Sequence, residues 1–116
     1  MINRAALIIK YKEPAVEWIN KVDPHKDDAG LTIEIVNTDN HVYLISEELA
    51  DDPKGLKKWL KKNYKKIFEL ELEGWYTDPS LWPEKRTFEL LNEWFDVELH
   101  SILIDTVGEP IVDEDL

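Results

Sequence analysis

The sequence predicts an α+β fold of the ferredoxin-like type, with strands and helices in the order βαββαβ. Three observations lead to this prediction. Segments with the hydrophobic patterns of strands lie near the start, in the first half and near the end of the chain. Two segments with helical spacing of apolar residues separate them, and an irregular stretch precedes the last strand. We therefore expect an antiparallel sheet with two main helices on one face and a short helical insertion before the final strand.

The first strand is predicted over residues 4–12, RAALIIKYK, because its odd-numbered positions from Ala5 onward form one apolar face. A helix follows, since Pro14 suits a first helical turn and apolar residues then recur at helical spacing. Pro24 ends this helix within a polar loop, residues 23–30.

Two further strands are predicted from residues 31–36, LTIEIV, and residues 41–45, HVYLI. The residues between them, NTDN, are rich in turn formers and predict a hairpin. The segment HVYLI is hydrophobic on both faces, which is the pattern of a strand in the middle of a sheet.

The second main helix is predicted to begin at Asp52 and Pro53, because aspartate caps helices and proline fits the first turn. From Gly55 to Phe68 apolar residues recur every three or four positions, and lysines fill the opposite face. The following ELELEG is interpreted as a last turn that Gly74 closes in the C′ position.

The irregular stretch contains Asp78-Pro79, which predicts a capped single turn, and residues 84–94, which predict a short helix. The last strand is predicted over residues 96–107, DVELHSILIDTV. We expect a single domain over residues 1–108, followed by an acidic C-terminal tail, residues 109–116.

The net charge of −11 is unevenly distributed. Half of the 14 basic residues are lysines of the second main helix, so 7 basic residues face 25 acidic ones elsewhere. This acidic surface is expected to attract basic proteins and to repel nucleic acid and membranes. The lysine face is interpreted as solvated rather than phosphate-binding, because Trp59 and Tyr64 fall on the apolar stripe. The lysines are Lys54, Lys57, Lys58, Lys61, Lys62, Lys65 and Lys66.

The absence of cysteine excludes a disulfide framework, a thiolate metal site and a cysteine nucleophile, and it fits a reducing compartment. The apolar run from Ala5 to Ile9 is too short for a signal peptide or a membrane span. No nucleotide-binding, hydrolase or zinc-protease motif is present. We expect a cytoplasmic protein, and the sequence leaves any cofactor open.

The last strand carries the clearest chemical candidates, Asp96, Glu98 and His100, which alternate onto the same outward face. Carboxylates and an imidazole in such a row can bind a divalent metal or act as an acid–base pair. A metal site here needs further ligands, for which His41 and Glu34 are the available residues. The alternative is a solvated strand face.

A second group of candidate binding residues consists of Trp75, Trp82, Trp94 and Asp78. The tryptophans can line a ligand pocket or an interface, or they can anchor the irregular connection, with Asp78 as a helix cap. The sequence leaves both interpretations open. It also leaves open whether the outward face of the sheet is covered or is free for self-association.

Two segments, LEGWYTDPSLWP at residues 72–83 and NEWFDVELHS at residues 92–101, resemble a pattern found in a family of small uncharacterised bacterial proteins of similar size. The resemblance implies a bacterial, cytoplasmic, single-domain protein. It implies no activity, cofactor or catalytic residue.

Taken together, these features predict a small acidic protein-binding module of the adaptor, regulator or immunity type, with a basic protein or a second copy as partner. The chain is similar to acidic immunity proteins only in charge and size. The alternative is a small metal-binding protein or enzyme that uses the row Asp96, Glu98 and His100.

Overall fold

The structure, a computed structural model, describes residues 1–23 and 30–115. Residues 24–29 of the predicted polar loop therefore lie outside the described residues. Two short 3-10 turns occupy Glu47–Asp51 and Pro79–Leu81. The helices and strands are β1 (Arg4–Tyr11), α1 (Glu13–Val22), α2 (Ile33–Val36), β2 (Val42–Ser46), α3 (Pro53–Glu73), α4 (Phe88–Trp94) and β3 (Phe95–His100).

The three described strands form one antiparallel sheet in the order β2-β1-β3. The first strand lies in the middle, so that Leu7 faces Tyr43 on one side and Leu99 on the other. The protein is thus α+β, and the prediction of a strand over residues 4–12 is confirmed.

The core lies on one face of this sheet. Ala5, Leu7 and Ile9 of β1 are completely buried there, as the alternation of β1 predicts. Three helices pack against this side through apolar residues at helical spacing. These residues are Ala15, Val16 and Ile19 of α1, Ile67, Phe68 and Leu72 of α3, and Leu91 and Trp94 of α4.

The prediction of a strand over residues 31–36 is wrong, because Ile33–Val36 form the short helix α2. Thr32 caps this helix by accepting a hydrogen bond from the Ile35 amide. Before the cap, the Asn20 side chain bonds both the amide and the carbonyl of Leu31 at 2.8 and 2.9 Å. These bonds occupy the backbone groups with which Leu31 would join a sheet.

Without this strand, the predicted hairpin through NTDN does not form, and β2 pairs with β1 instead. The strand predicted to be central, HVYLI, is therefore an edge strand, and β1 takes the central place. The ferredoxin-like βαββαβ order is not confirmed, since the described residues contain three strands rather than four.

The boundaries of the later elements also differ from the prediction. Asp52 caps α3 as expected by accepting a hydrogen bond from the Gly55 amide. Residues 69–73 are the last turn of α3, as predicted, and Gly74 is its C-cap. Gly74 has a right-handed conformation, with φ −62°, and not the left-handed one that is common at the C′ position. The helix α4 begins only at Phe88, where Thr87 provides the cap. The last strand ends at His100 rather than at residue 107.

Candidate functional site

The most unusual side chain in the core is Glu71 of α3, which is only 2% exposed. Its carboxylate accepts hydrogen bonds from the hydroxyl of Tyr11, at 2.8 Å, and from the hydroxyl of Tyr43. His41 Nδ1 lies 2.9 Å from the second carboxylate oxygen, Oε2. Three side chains from β1, β2 and the segment before β2 thus converge on one buried carboxylate, which satisfies its need for hydrogen-bond partners.

Several contacts hold Tyr11 in this cluster. The indole N–H of Trp75 donates to the Tyr11 hydroxyl at 2.9 Å. The side chain of Asn37 bonds both the amide and the carbonyl of Tyr11, at 2.8 and 3.0 Å. Burial, followed by the negative charge of Glu71, raises the pKa of the Tyr11 hydroxyl far above its usual range. Burial and the hydrogen bond to Glu71 do the same to the pKa of Tyr43, so both hydroxyls remain donors at neutral pH.

The cluster opens onto solvent through His41, whose side chain is 59% exposed. In the described part of the chain, the second ring nitrogen, Nε2, has no hydrogen-bond partner. Beside the ring lies a cavity of about 110 Å³. Its lining includes Tyr11, Asp39, Asn40, His41, Glu71 and Trp75. An imidazole oriented through Nδ1 by a carboxylate, with Nε2 free, is the arrangement that proteins use for proton acceptors.

The predicted row on β3 is only partly brought together. Asp96, Glu98 and His100 are exposed, as their alternation predicts. Glu98 and His100 approach to 3.3 Å, but Asp96 pairs with Lys12 at 3.4 Å. Within residues 1–23 and 30–115, no group of three or more His, Asp or Glu side chains is placed to hold a metal ion.

The two additional ligands considered for a metal on this row are engaged elsewhere in the fold. His41 contacts Glu71. Glu34 lies in the helix α2 and not on the sheet, because residues 31–36 are not a strand.

The predicted aromatic group is dispersed along the connection between α3 and β3. Trp75 joins the Glu71 cluster, whereas the Trp82 indole donates to the carbonyl of Tyr76 at 2.7 Å. Trp94 is buried in the core against Phe68. Asp78 accepts from the amide of Ser80, and this bond lowers the pKa of its carboxyl. These contacts favour the interpretation of the group as anchors of an irregular connection.

A different surface is conspicuous for its exposed aliphatic side chains. The open face of the sheet, opposite the helices, presents Val42 and Leu44 on the edge strand β2. The charged residues of β3 lie on the other edge, across β1. Residues 101–115, the C-terminal segment, contain no helix or strand. Five of their aliphatic side chains are between 64% and 73% exposed, namely Ile102, Ile104, Val107, Ile111 and Val112.

The patterns in the sequence do not predict that Glu71, His41, Tyr11 and Tyr43 form a cluster. One signal was present, because position 71 continues the apolar stripe of α3 four residues after Ile67. A carboxylate in such a stripe is rarely buried without partners. The partners come from three other segments of the chain, and the spacing along a sequence does not show them.

No helix among the described residues has the length and apolar character needed to cross a membrane. Comparison of the chain with family models, with curated proteins and with solved structures found no match.

Proposed function

We propose that this chain is a protein-binding module whose contact surface is the C-terminal segment together with the adjoining open face of the sheet. The observation that carries the proposal is the exposure of the five aliphatic side chains of the C-terminal segment. A single exposed large aliphatic residue is common, but five of them on one short segment are typical of a surface that another protein covers.

The charge of the segment indicates the chemistry of the partner. Residues 101–115 include five acidic residues, Asp105, Glu109, Asp113, Glu114 and Asp115, and no basic residue. The partner surface is therefore an apolar groove bordered by lysine or arginine. The opposite charges increase the rate of association, and the aliphatic contacts provide most of the affinity. The absence of cysteine fits a cytoplasmic setting for this interaction.

The test is affinity capture with the immobilised full chain, followed by mass spectrometry. The double variant Ile102→Asp, Ile104→Asp removes two apolar contacts, and Thr106→Asp is the matched control at an exposed polar position of the same segment. We expect basic proteins to be retained by the wild type and by Thr106→Asp, and to be lost from the double variant or at high salt. Equal retention by all three proteins would contradict the proposal.

A second candidate function, proton transfer to or from a small ligand, is favoured by the contact between His41 and Glu71 beside a cavity. In this role Nε2 of His41 accepts a proton from the ligand, and the buried carboxylate of Glu71 stabilises the resulting imidazolium. The cavity of about 110 Å³ limits the ligand to a few heavy atoms.

The proton-transfer role is tested by the reaction of the folded chain with diethyl pyrocarbonate, which acylates unprotonated imidazole. We expect His41 to react faster than His100, and Glu71→Gln to slow His41 without changing His100. His100→Gln is the control for the peptide assignment. If His41 reacts no faster than His100, or if Glu71→Gln leaves its rate unchanged, the pair does not activate Nε2.

A further inference from the structure

The outer edge of β2 is free and carries no charge. In the described part of the chain, the backbone hydrogen bonds of Val42–Ser46 to other strands go to β1 alone. Val42 and Leu44 are 55% and 49% exposed. Natural sheets usually protect an edge strand with charged residues or proline, because an uncharged apolar edge accepts a further strand.

Beside this edge lies a cavity of about 210 Å³, here called the α3–β2 groove. Its apolar walls are formed by Leu44 of β2 and by Trp59 and Leu70 of α3, and Lys66 stands at its rim. Lys62 precedes Lys66 by one helical turn and is exposed on the same side of α3. The groove therefore combines an apolar floor with a cationic border.

The C-terminal segment has the complementary character. Five of its large aliphatic side chains are exposed, and its five charged residues are all acidic. An extended segment of this composition can add to the edge of a sheet through its backbone while its side chains enter the neighbouring groove. The segregation of lysines on α3 from acidic residues at the C-terminus gives the two surfaces opposite charges.

The segment does not meet this groove in its own copy. It follows β3, which lies at the edge of the sheet opposite β2. Its first residues, Ser101 and Ile102, lie beside Glu47, Glu48 and Asp51 of the 3-10 turn. Like charges at this end of the molecule oppose folding of the acidic segment back over its own body.

We propose that the C-terminal segment of one copy docks in the α3–β2 groove of a second copy, and that the second copy returns the same contact. This inference rests on the proposed function and names its partner as a second copy of the chain. A reciprocal exchange closes with two molecules, whereas a one-way contact would grow into a chain of copies. The Leu103 carbonyl accepts from the Ile2 amide of its own copy at 2.9 Å, which leaves the residues from 104 to 115 to reach the second copy. Extended, they span roughly 40 Å, which exceeds the shorter dimensions of the molecule, 33 and 28 Å.

The first measurement is the molar mass in solution by light scattering over a range of concentrations at low salt. We expect a rise from 13.7 kDa towards twice that mass. Lys66→Glu should weaken the dimer by about tenfold or more, because it places a like charge beside the segment. Lys57→Glu makes the same charge change on the opposite side of α3 and should leave the dimer intact.

A second measurement identifies the contact. Equal amounts of ¹⁴N and ¹⁵N protein are mixed and treated with a carbodiimide, which joins lysines to neighbouring carboxylates. Docking between copies predicts mixed-isotope peptides that link Lys62 or Lys66 to the acidic residues after position 104. If all of these cross-links carry a single isotope and no mixed pair is found, the segment binds its own copy, and that result would overturn the inference.

The two proposals fail in different ways. A monomer at every concentration overturns docking to a second copy but leaves the protein-binding function standing if the wild type retains a basic protein that the variant Ile102→Asp, Ile104→Asp does not. If the chain is monomeric and retains no such protein, both proposals fall.

Discussion

At the scale of single residues, the buried carboxylate of Glu71 connects the apolar core to the solvent-exposed His41. A carboxylate moved from water into a protein interior loses hydration worth several kcal/mol unless hydrogen-bond donors replace it. Two tyrosine hydroxyls and the His41 ring provide this replacement. Because the donors lie on three different segments, the carboxylate also joins α3 to β1 and to the start of β2.

Replacing Glu71 with alanine should be strongly destabilising. The change leaves the hydroxyls of Tyr11 and Tyr43 buried without their acceptor and opens a cavity, so we expect a loss of about 3–5 kcal/mol in the free energy of unfolding. Urea titration measures the loss. Glu73→Ala removes the same charge from an exposed position two residues later and should change stability little. Equal effects of the two substitutions would show that the buried cluster contributes nothing specific.

The raised pKa values of Tyr11 and Tyr43 predict a loss of stability in alkali. The unfolded chain releases these phenolic protons near a pH of about 10, whereas the folded chain holds them because burial and Glu71 disfavour the phenolate. At a pH between the pKa of the unfolded chain and that of the folded chain, the folded state binds more protons. The contribution of each tyrosine to the free energy of unfolding is therefore complete below a pH of about 10 and decreases as the pH rises above it. Urea midpoints across this range measure the fall, and Tyr43→Phe should reduce its slope. An unchanged slope in Tyr43→Phe would assign the alkaline loss to other groups.

At the scale of secondary structure, local sequence determines some elements of this chain, whereas others depend on contacts with distant residues. The strand β1 and the cap of α3 by Asp52 follow from alternation and capping chemistry, and both could be predicted. The segment 31–36 could not, because LTIEIV suits a half-buried strand as well as a short helix. Asn20, eleven residues away, bonds the amide and carbonyl of Leu31, and this favours the helix over the strand.

The same limit explains why the cluster at Glu71 was not predicted. The hydrophobic spacing of α3 places position 71 on the buried stripe, but the position of β2 relative to α3 depends on the sheet order. A strand over residues 31–36 predicts residues 41–45 in the middle of the sheet, whereas β2 lies at its edge. The contacts of Tyr43 and His41 with Glu71 therefore do not follow from the sequence.

The cap of α3 can be tested directly. Asp52→Ala removes the carboxylate that accepts from the Gly55 amide at 3.0 Å, and we expect a loss of about 1 kcal/mol in the free energy of unfolding. Asp51→Ala removes the same charge one residue earlier and serves as the control. Thermal unfolding followed by circular dichroism measures both. A loss no larger in Asp52→Ala than in Asp51→Ala would mean that charge, and not capping, sets the contribution of Asp52.

At the scale of the whole molecule, the dimensions reflect two parts with different packing. The radius of gyration is 15.9 Å, compared with about 13 Å for a compact chain of similar length. The larger radius is consistent with the C-terminal segment, in which five aliphatic side chains remain exposed while Leu7 and Ile9 of β1 are buried. The C-terminal segment carries five acidic residues and no basic one, whereas α3 carries seven lysines, so these two parts of the molecule have opposite charge.

Amide hydrogen exchange should show this division in solution. The central strand β1 is bonded on both sides and covered on one face, so its amides between Leu7 and Ile9 open only with the whole fold and should exchange slowest. In dilute protein the amides of residues 104–115 should exchange at nearly the rate of an unfolded peptide. At high concentration they should slow together with those of β2, since both belong to the proposed contact between copies. If residues 104–115 are as protected as β1 at the lowest concentration, the segment is packed within its own copy, and the surface assigned to protein binding is already occupied.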